Sequence, residues 1–291
     1  MYFMEKYKYS ERFDNQYAEM HSFLKINADC GYNEHFHWGR LDWMMTHSWL
    51  DVEMLPKIAL FRDESGRIVG AVIFDTDFKD RWYLLHSISD ENLLRQMVEY
   101  IIKIDGAETK VKANLNDLVL CRMLENTGFE KKYSESVLEI ALSCDLSYRL
   151  PDGFSLNTPD LVIDDWQWRL VIHRGFENDG VPKEPDGEVA KAQKHLESPE
   201  YIKVFAIKDE EYAAHCGVWY DSGDTAYIEP VVTVPEHRGK GLGRAVVYEA
   251  VNRAKMRGAK RAIVLSDQEF YLHIGMTKSS EIGVYSAFSN I

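Results

Sequence analysis

Seven consecutive residues, Arg238-Gly239-Lys240-Gly241-Leu242-Gly243-Arg244, set three glycines at alternate positions among three cations, directly before a helical pattern. Glycine lets a backbone take positive φ and come close to a bulky group. A helix start adds unpaired N–H groups and the positive end of the macrodipole, so the chemistry on offer is the cradling of an anion, phosphate above all. A P-loop is excluded, because no G-x-x-x-x-G-K-S/T can be aligned. The dinucleotide pattern G-x-G-x-x-G fails as well, because Arg244 stands where its third glycine belongs. A softened turn with solvated cations and a nucleic-acid patch are the other readings of the same residues.

What does align is R-x-x-G-x-G, running from Arg238 to Gly243, with the apolar strand "IEPVVTVP" before it, a helix after it and "FYLHIGM" later. In these features the chain resembles the GNAT superfamily of acetyl-CoA-dependent N-acetyltransferases over Leu150 to Phe288. The resemblance implies acetyl-CoA as co-substrate. It implies a strand splayed from its neighbour, whose backbone at Val231, Val232 and Thr233 meets the cofactor. Loop amides of Arg238, Gly239, Lys240, Gly241, Leu242 and Gly243 would hold the pyrophosphate, with a cation among Arg238, Lys240 and Arg244 at the 3′-phosphate.

Acetyl transfer to an amine needs a neutral nucleophile, donors for the developing oxyanion and a proton for the departing thiolate. By the resemblance the proton comes from the tyrosine of Y-x-x-x-G-F, here Tyr271-Leu272-His273-Ile274-Gly275-Met276, with Met in place of Phe. A phenol with pKa near ~10 can protonate a thiolate of similar basicity. Glu229 is charged inside the apolar run "YIEPVV", and strand alternation puts it on one face with Tyr227, Val231 and Thr233. It reads as a base or water-organiser, as a binder of a cationic substrate, or as a solvated residue at a bend made by Pro230. Glu177 and Asp179 in "HRGFENDG" would draw in an amine or form an acidic surface turn, and His237 is expected to be exposed rather than catalytic.

The elements that must position these residues occur twice. "KIALFRDESGRIVGAVIFDT" predicts a hairpin with its turn at Glu64-Ser65-Gly66, and "WYLLHSI" a third strand. The helix "DENLLRQMVEYIIKI", the strand "TKVKA", the helix "NDLVLCRMLENTGF" and the strand "SVLEIAL" follow. The second half repeats the order, from "YIKVFAIKDEEYAAHCGVWYDS" through "TAYIEPVVTV", the glycine loop with its helix, "RAIVLS" and "DQEFYLHIGM" to "IGVYSAF". The seam is expected in "LSCDLSYRLPDGFSL", where Pro151-Asp152-Gly153 marks a turn.

The expected fold class is therefore α/β, more strictly α+β. It comprises two GNAT-like domains, residues 1–146 and 147–291, each a mixed, mostly antiparallel twisted sheet flanked by helices. The first copy is expected to be degenerate: no glycine loop follows "WYLLHSIS", and Leu124 stands at the position of the acid tyrosine. It would not bind acetyl-CoA but would shape the acceptor side. One stretch of it, "NEHFHWGRLDWMMTH", reads as an aromatic helix on the core, with Trp38 and Trp43 as candidate walls of an acceptor pocket. As a metal site this stretch is weak.

Composition narrows the function further. The chain has 291 residues, a net charge of −13 and 45% hydrophobic residues. An acidic chain without interleaved basic and aromatic residues is expected to bind no nucleic acid. Four scattered cysteines form no C-x-x-C pair, and no apolar stretch reaches membrane length. These features predict a cytoplasmic protein, a monomer or homodimer, with no metal and no membrane partner. The activity expected is transfer of acetyl from acetyl-CoA directly to a primary amine of a small molecule or peptide. The alternatives are a non-catalytic acetyl-CoA sensor or scaffold, and an acyltransferase using another acyl-CoA or a hydroxyl or thiol acceptor.

Overall fold

The computed structural model describes residues 1–76, 80–106 and 109–287. Its first half runs β1 (Phe3–Lys6), α1 (Asn15–Ile26), α2 (Trp38–Thr46), β2 (Ala59–Arg62), β3 (Ile68–Phe74), β4 (Arg81–His86), α3 (Glu91–Asp105), β5 (Lys110–Asn114), α4 (Leu118–Asn126) and β6 (Phe129–Ala141). The second half repeats that order as β7 (Ser155–Leu156), α5 (Asp165–Gly175), α6 (Gly187–Gln193), β8 (Tyr201–Lys208), β9 (Glu211–Trp219), β10 (Thr225–Thr233), α7 (Leu242–Met256), β11 (Arg261–Leu265), α8 (Glu269–His273) and β12 (Thr277–Ala287). The expected hairpins, crossover helices and closing strands are all present. Phe288, expected as the last residue of the final strand, lies outside the described residues.

The sheet is mixed and mostly antiparallel. Among the described residues only β4–β5 and β10–β11 pair in parallel, each pair bridged by a helix, α3 or α7, because a parallel neighbour needs a crossover. The twelve strands form one sheet in the order β1-β2-β3-β4-β5-β12-β6-β11-β10-β9-β8-β7. Each half has therefore given its last strand to the other. β6, from the first half, pairs with β11 through Arg261↔Ala141 to Leu265↔Val137. β12, from the second, pairs with β5 through Ile282↔Asn114 to Ser286↔Lys110. The two exchanged strands lie against each other from Thr277↔Glu139 to Ala287↔Phe129.

Both are longer than the apolar segments predict. The added residues, "FEKKYSE" and "TKSSE", are largely polar and carry little hydrophobic alternation, so pairing with each other extends the strands rather than burial. Among the described residues no helix is long and apolar enough to cross a membrane.

Helix α7 lies over β8 and β9 because Leu242, Ala245, Val246, Ala250, Val251 and Ala254 form one buried stripe. On the other side of the molecule α2 seats against the second half. A Cβ on Gly39 would enter the Trp219 side chain, so only glycine allows the helix this close. Trp38 meets Trp219 edge-on, and His37 caps α2 through Nδ1 while stacking on Tyr227. Burial drives the His35 and His37 pKa values down to about 3, so both are neutral core imidazoles.

Candidate active site

Strands β10 and β11 pair only from Thr225 to Tyr227 against Arg261 to Ile263. Beyond Tyr227, β10 keeps β9 on one side and opens its other side into a cleft of about 620 Å³. Val231, Val232 and Thr233 line it from the strand. Arg238, Gly239, Gly241, Leu242, Gly243 and Arg244 line it from the loop and the first turn of α7, and Tyr271 from α8. Ten of the twelve residues expected at the site thus share one concavity. Lys240 and Glu229 are not among its lining.

The loop geometry follows from its glycines. Gly239 and Gly241 have φ of +74° and +86°, a region that other residues rarely adopt. Gly241 is the N-cap of α7 and offers no side chain to its first-turn amides, which therefore face the cleft as free donors. Gly243 is small for another reason: a Cβ there would stand 3.2 Å from the Phe270 ring. Gly175 ends α5 directly on Val232, where a Cβ has no room.

The cations divide by task. Arg238 donates through Nε to Thr233 O at 3.0 Å and through Nη2 to Gly175 O at 2.8 Å, and its Nη1 pairs with Glu177. It braces the loop against β10 and α5, and Glu177 is an exposed partner in that brace. Lys240 turns outward to Glu236 O at 2.9 Å. Arg244 is an exposed cation on the cleft wall, its guanidinium 4.9 Å from the centre of the Tyr248 ring. His237, read from sequence as merely exposed, also lines the cleft, as do Phe176, Gln268 and Phe270. The sequence signal for Phe270 is its place beside Tyr271; Phe176 follows Gly175 in "HRGF".

Tyr271 is 6% exposed. Burial, together with the neighbouring Cys216 and Glu229, pushes its phenol above the usual tyrosine range, so it stays protonated.

Glu229 requires a correction. Val231 lies opposite Cys216 and Ile228 opposite Val218, so two residues of β10, Glu229 and Pro230, answer to Gly217 alone. This bulge reverses the alternation. Ile228 and Val231 share one face, while Tyr227 and Val232 share the other. Glu229 accompanies Tyr227 toward α2, away from the face of Val231 and Thr233. There its carboxylate pairs with Arg40 Nη1, and the same guanidinium holds Asp75 through Nε at 2.8 Å and Nη2 at 2.6 Å. A residue of the first half thus reaches the strand that lines the cleft. No sequence pattern announced Arg40, whose partner lies 189 residues away.

Folding also gathers His21, Asp42 and Glu200, whose donor atoms lie within 4.8 Å of one another. They come from α1, α2 and the turn before β8, a grouping that sequence spacing cannot reveal. Tyr17 donates to Asp42 at 2.5 Å and Lys25 to Glu200 at 2.9 Å, so both carboxylates are already engaged within the chain.

The first half has a corresponding fork. β4 and β5 pair from Arg81 to Tyr83 against Lys110 to Lys112. Beyond this the ends of both strands bind the chain's own loop. Asn33 exchanges hydrogen bonds with the His86 backbone at 2.8 and 3.2 Å, and Asn114 donates to Gly31 O at 2.8 Å. At the start of α3 the Asp90 carboxylate accepts from the amides of Asn92 and Leu93.

A splayed parallel pair, a glycine turn and an uncapped helix start thus meet in one cleft. Residues 164–276 match the model of the acetyltransferase (GNAT) family. A stretch of 66 residues is 35% identical to a candidate ribosomal protein bS18-alanine N-acetyltransferase of Bacillus subtilis (strain 168). It covers 23% of this chain and 43% of that protein, so the chain spans under half of that relative's length.

Among solved structures, a tandem GNAT protein from the clavulanic acid biosynthesis pathway superposes with TM-score 0.59, 14% identity and 99% and 98% of the two chains covered. A GCN5-related N-acetyltransferase from Sphaerobacter thermophilus gives TM-score 0.55 at 14% identity, covering 98% and 94%. One from Kribbella flavida gives 0.53 at 18%, covering 75% and 87%. At these identities the likeness is one of fold.

Proposed function

We propose that the second half, residues 147–291, binds acetyl-CoA in the β10–α7 cleft and passes the acetyl group directly to a primary amine of a small molecule or peptide. On this reading the first half, residues 1–146, does not bind the cofactor and instead walls the acceptor side with α2. The observation that carries the proposal is the uncapped start of α7, where Gly239 and Gly241 at positive φ leave amides open toward the cleft. Two features support the fit: Cβ positions at both glycines meet nothing within 4 Å, and Arg244 offers an exposed cation on the cleft wall. A bulky polyanion needs both.

Acetyl-CoA supplies the acyl thioester. Amides from Gly239 to Arg244 hold the pyrophosphate, and the open edge of Val231 to Thr233 aligns the pantetheine arm and offers a donor to the developing oxyanion. Tyr271, kept protonated by burial, holds a proton for the departing sulfur. Glu229, fixed by Arg40, presents a carboxylate on the acceptor side, suited to attracting or deprotonating an ammonium.

Calorimetric titration of acetyl-CoA into the native protein tests the cofactor step, with micromolar binding expected. Screening amines with the loaded protein tests the transfer. A sensor would bind acetyl-CoA and transfer to none of them.

A further inference from the structure

The Glu229 carboxylate is held by a residue that also grips a strand far from it in the sheet. Arg40 on α2 touches Glu229 through Nη1 and Asp75 through Nε and Nη2, the paired fork that a guanidinium supplies. Asp75 directly follows β3, and Glu229 belongs to β10, six steps along the order β3-β4-β5-β12-β6-β11-β10. Six spacings are roughly 29 Å in a flat sheet. One guanidinium meets both carboxylates, so the sheet curls until the end of β3 faces β10 beneath α2. The approach to α2 touches both sides of this trough. The Phe36 ring lies 4.9 Å from that of Tyr83 on β4, and the His37 ring 5.0 Å from that of Tyr227 on β10. The Tyr83 hydroxyl in turn donates to Asp75 at 3.4 Å.

Exposure separates the three partners. The side chain of Glu229 keeps 19% of its surface, while those of Arg40 and Asp75 keep 10% and 4%. A ligand on the acceptor side meets Glu229 first, and the two residues behind it bear on that ligand through the carboxylate. Glutamate has several torsions to fix, and Glu229 stands on a bulge where strand alternation no longer aims it. The guanidinium does the aiming. Arg40 is itself anchored, because its neighbours on α2 are seated: Gly39 against the Trp219 side chain and Trp38 edge-on to the same ring. An interior ion cluster is a weak source of stability, so its use lies in the geometry it fixes.

We infer that Arg40 is a positioning residue for acetyl transfer, and that Asp75 acts through it by fixing the fork from the far side. This rests on the transfer reading above and extends it: the first half takes part in the reaction without binding acetyl-CoA. Its α2 supplies the guanidinium, and the end of its β3 supplies the opposing carboxylate. Together they decide where the Glu229 oxygens stand relative to an amine approaching the open edge of β10. Loss of the pair should therefore matter only while Glu229 is present, because residues that act through one group are not additive with its removal.

The test follows thiol release from acetyl-CoA by the full-length protein, above the amine-free rate. The acceptors are glycine, lysine, spermidine, phenylethylamine and an alanine-terminated peptide, and acetyl-CoA is titrated into each variant by calorimetry. Arg40→Gln/Asp75→Asn removes both charges together, so neither is left buried without the other. It is expected to lower kcat/KM for the reactive amine about tenfold or more, while acetyl-CoA affinity stays within about twofold. In a Glu229→Gln background the same two substitutions should change kcat/KM by less than about twofold. Arg40→Lys keeps the charge without the fork and should lose about as much, which keeps the test open if the double variant does not fold. Equal losses with and without Glu229, or acetyl-CoA affinity lost in step with kcat/KM, would make Arg40 a strut of the fold and overturn the inference. Native kcat/KM in Arg40→Lys or in Glu229→Gln overturns it as well. A native protein that binds acetyl-CoA and acetylates none of these amines removes the transfer reading and this inference with it.

Discussion

Helices α3 and α7 occupy the same place in two copies of one unit, each following the third strand of its half and crossing to a parallel partner. They begin in opposite ways. At α3 the Asp90 carboxylate already satisfies two first-turn amides, and the fork between β4 and β5 is closed by residues 31–33. At α7 a glycine caps nothing, and the fork between β10 and β11 is open. The first copy supplies its own anion and its own wedge; the second leaves both positions open. One side chain at the N-cap separates a structural helix start from an anion site, because the amides are equally unsatisfied in both until something meets them.

The comparison can be broken most severely through the exchanged strands. Without residues 1–146 the second half loses β6, which lies between β11 and β12, and its sheet has an open edge along β11. The fragment 147–291 should show no cooperative thermal transition by circular dichroism, and adding the separately produced first half should restore one. A fragment that folds alone and binds acetyl-CoA would make the halves independent.

Tyr271→Phe comes next. Transfer should fall by about 10²-fold with acetyl-CoA affinity unchanged, measured by steady-state kinetics and calorimetry. Leu124, the sequence counterpart in the first half, is buried core, and Leu124→Val should alter stability but not kcat. Gly39→Ala tests the α2 seat: the new methyl enters the Trp219 side chain and should cost about 1–3 kcal/mol in denaturant unfolding. The smallest effect is expected at α3. Asp90→Ala should cost about 1 kcal/mol and confer no second acetyl-CoA site, since the wedge at residues 31–33 remains.

Much of this was legible in the chain. The duplicated order of elements could be read from periodicity, and the glycine loop from residue types whose conformational demands are local. Gly239 and Gly241 at positive φ follow from the same local rules. What escaped depends on long-range pairing. Nothing in the alternation of β6 or β12 names its partner, so the exchange was invisible. The bulge at Glu229 and Pro230 was missed because strict alternation was assumed through a proline, and it moved Glu229 to the α2 face. Arg40 lies in an aromatic helix whose sequence advertised Trp38 and Trp43, and its meeting with Glu229 exists only once α2 packs on β9 and β10.

The central claim is that the second fork, and not the first, is an acetyl-CoA site. Its most direct test is a calorimetric titration of acetyl-CoA into the native protein and the Arg238→Ala/Gly241→Val variant. The account predicts one site per chain with micromolar affinity, lost in the variant although its thermal unfolding stays cooperative. Two sites per chain, or binding that survives both substitutions, would contradict it.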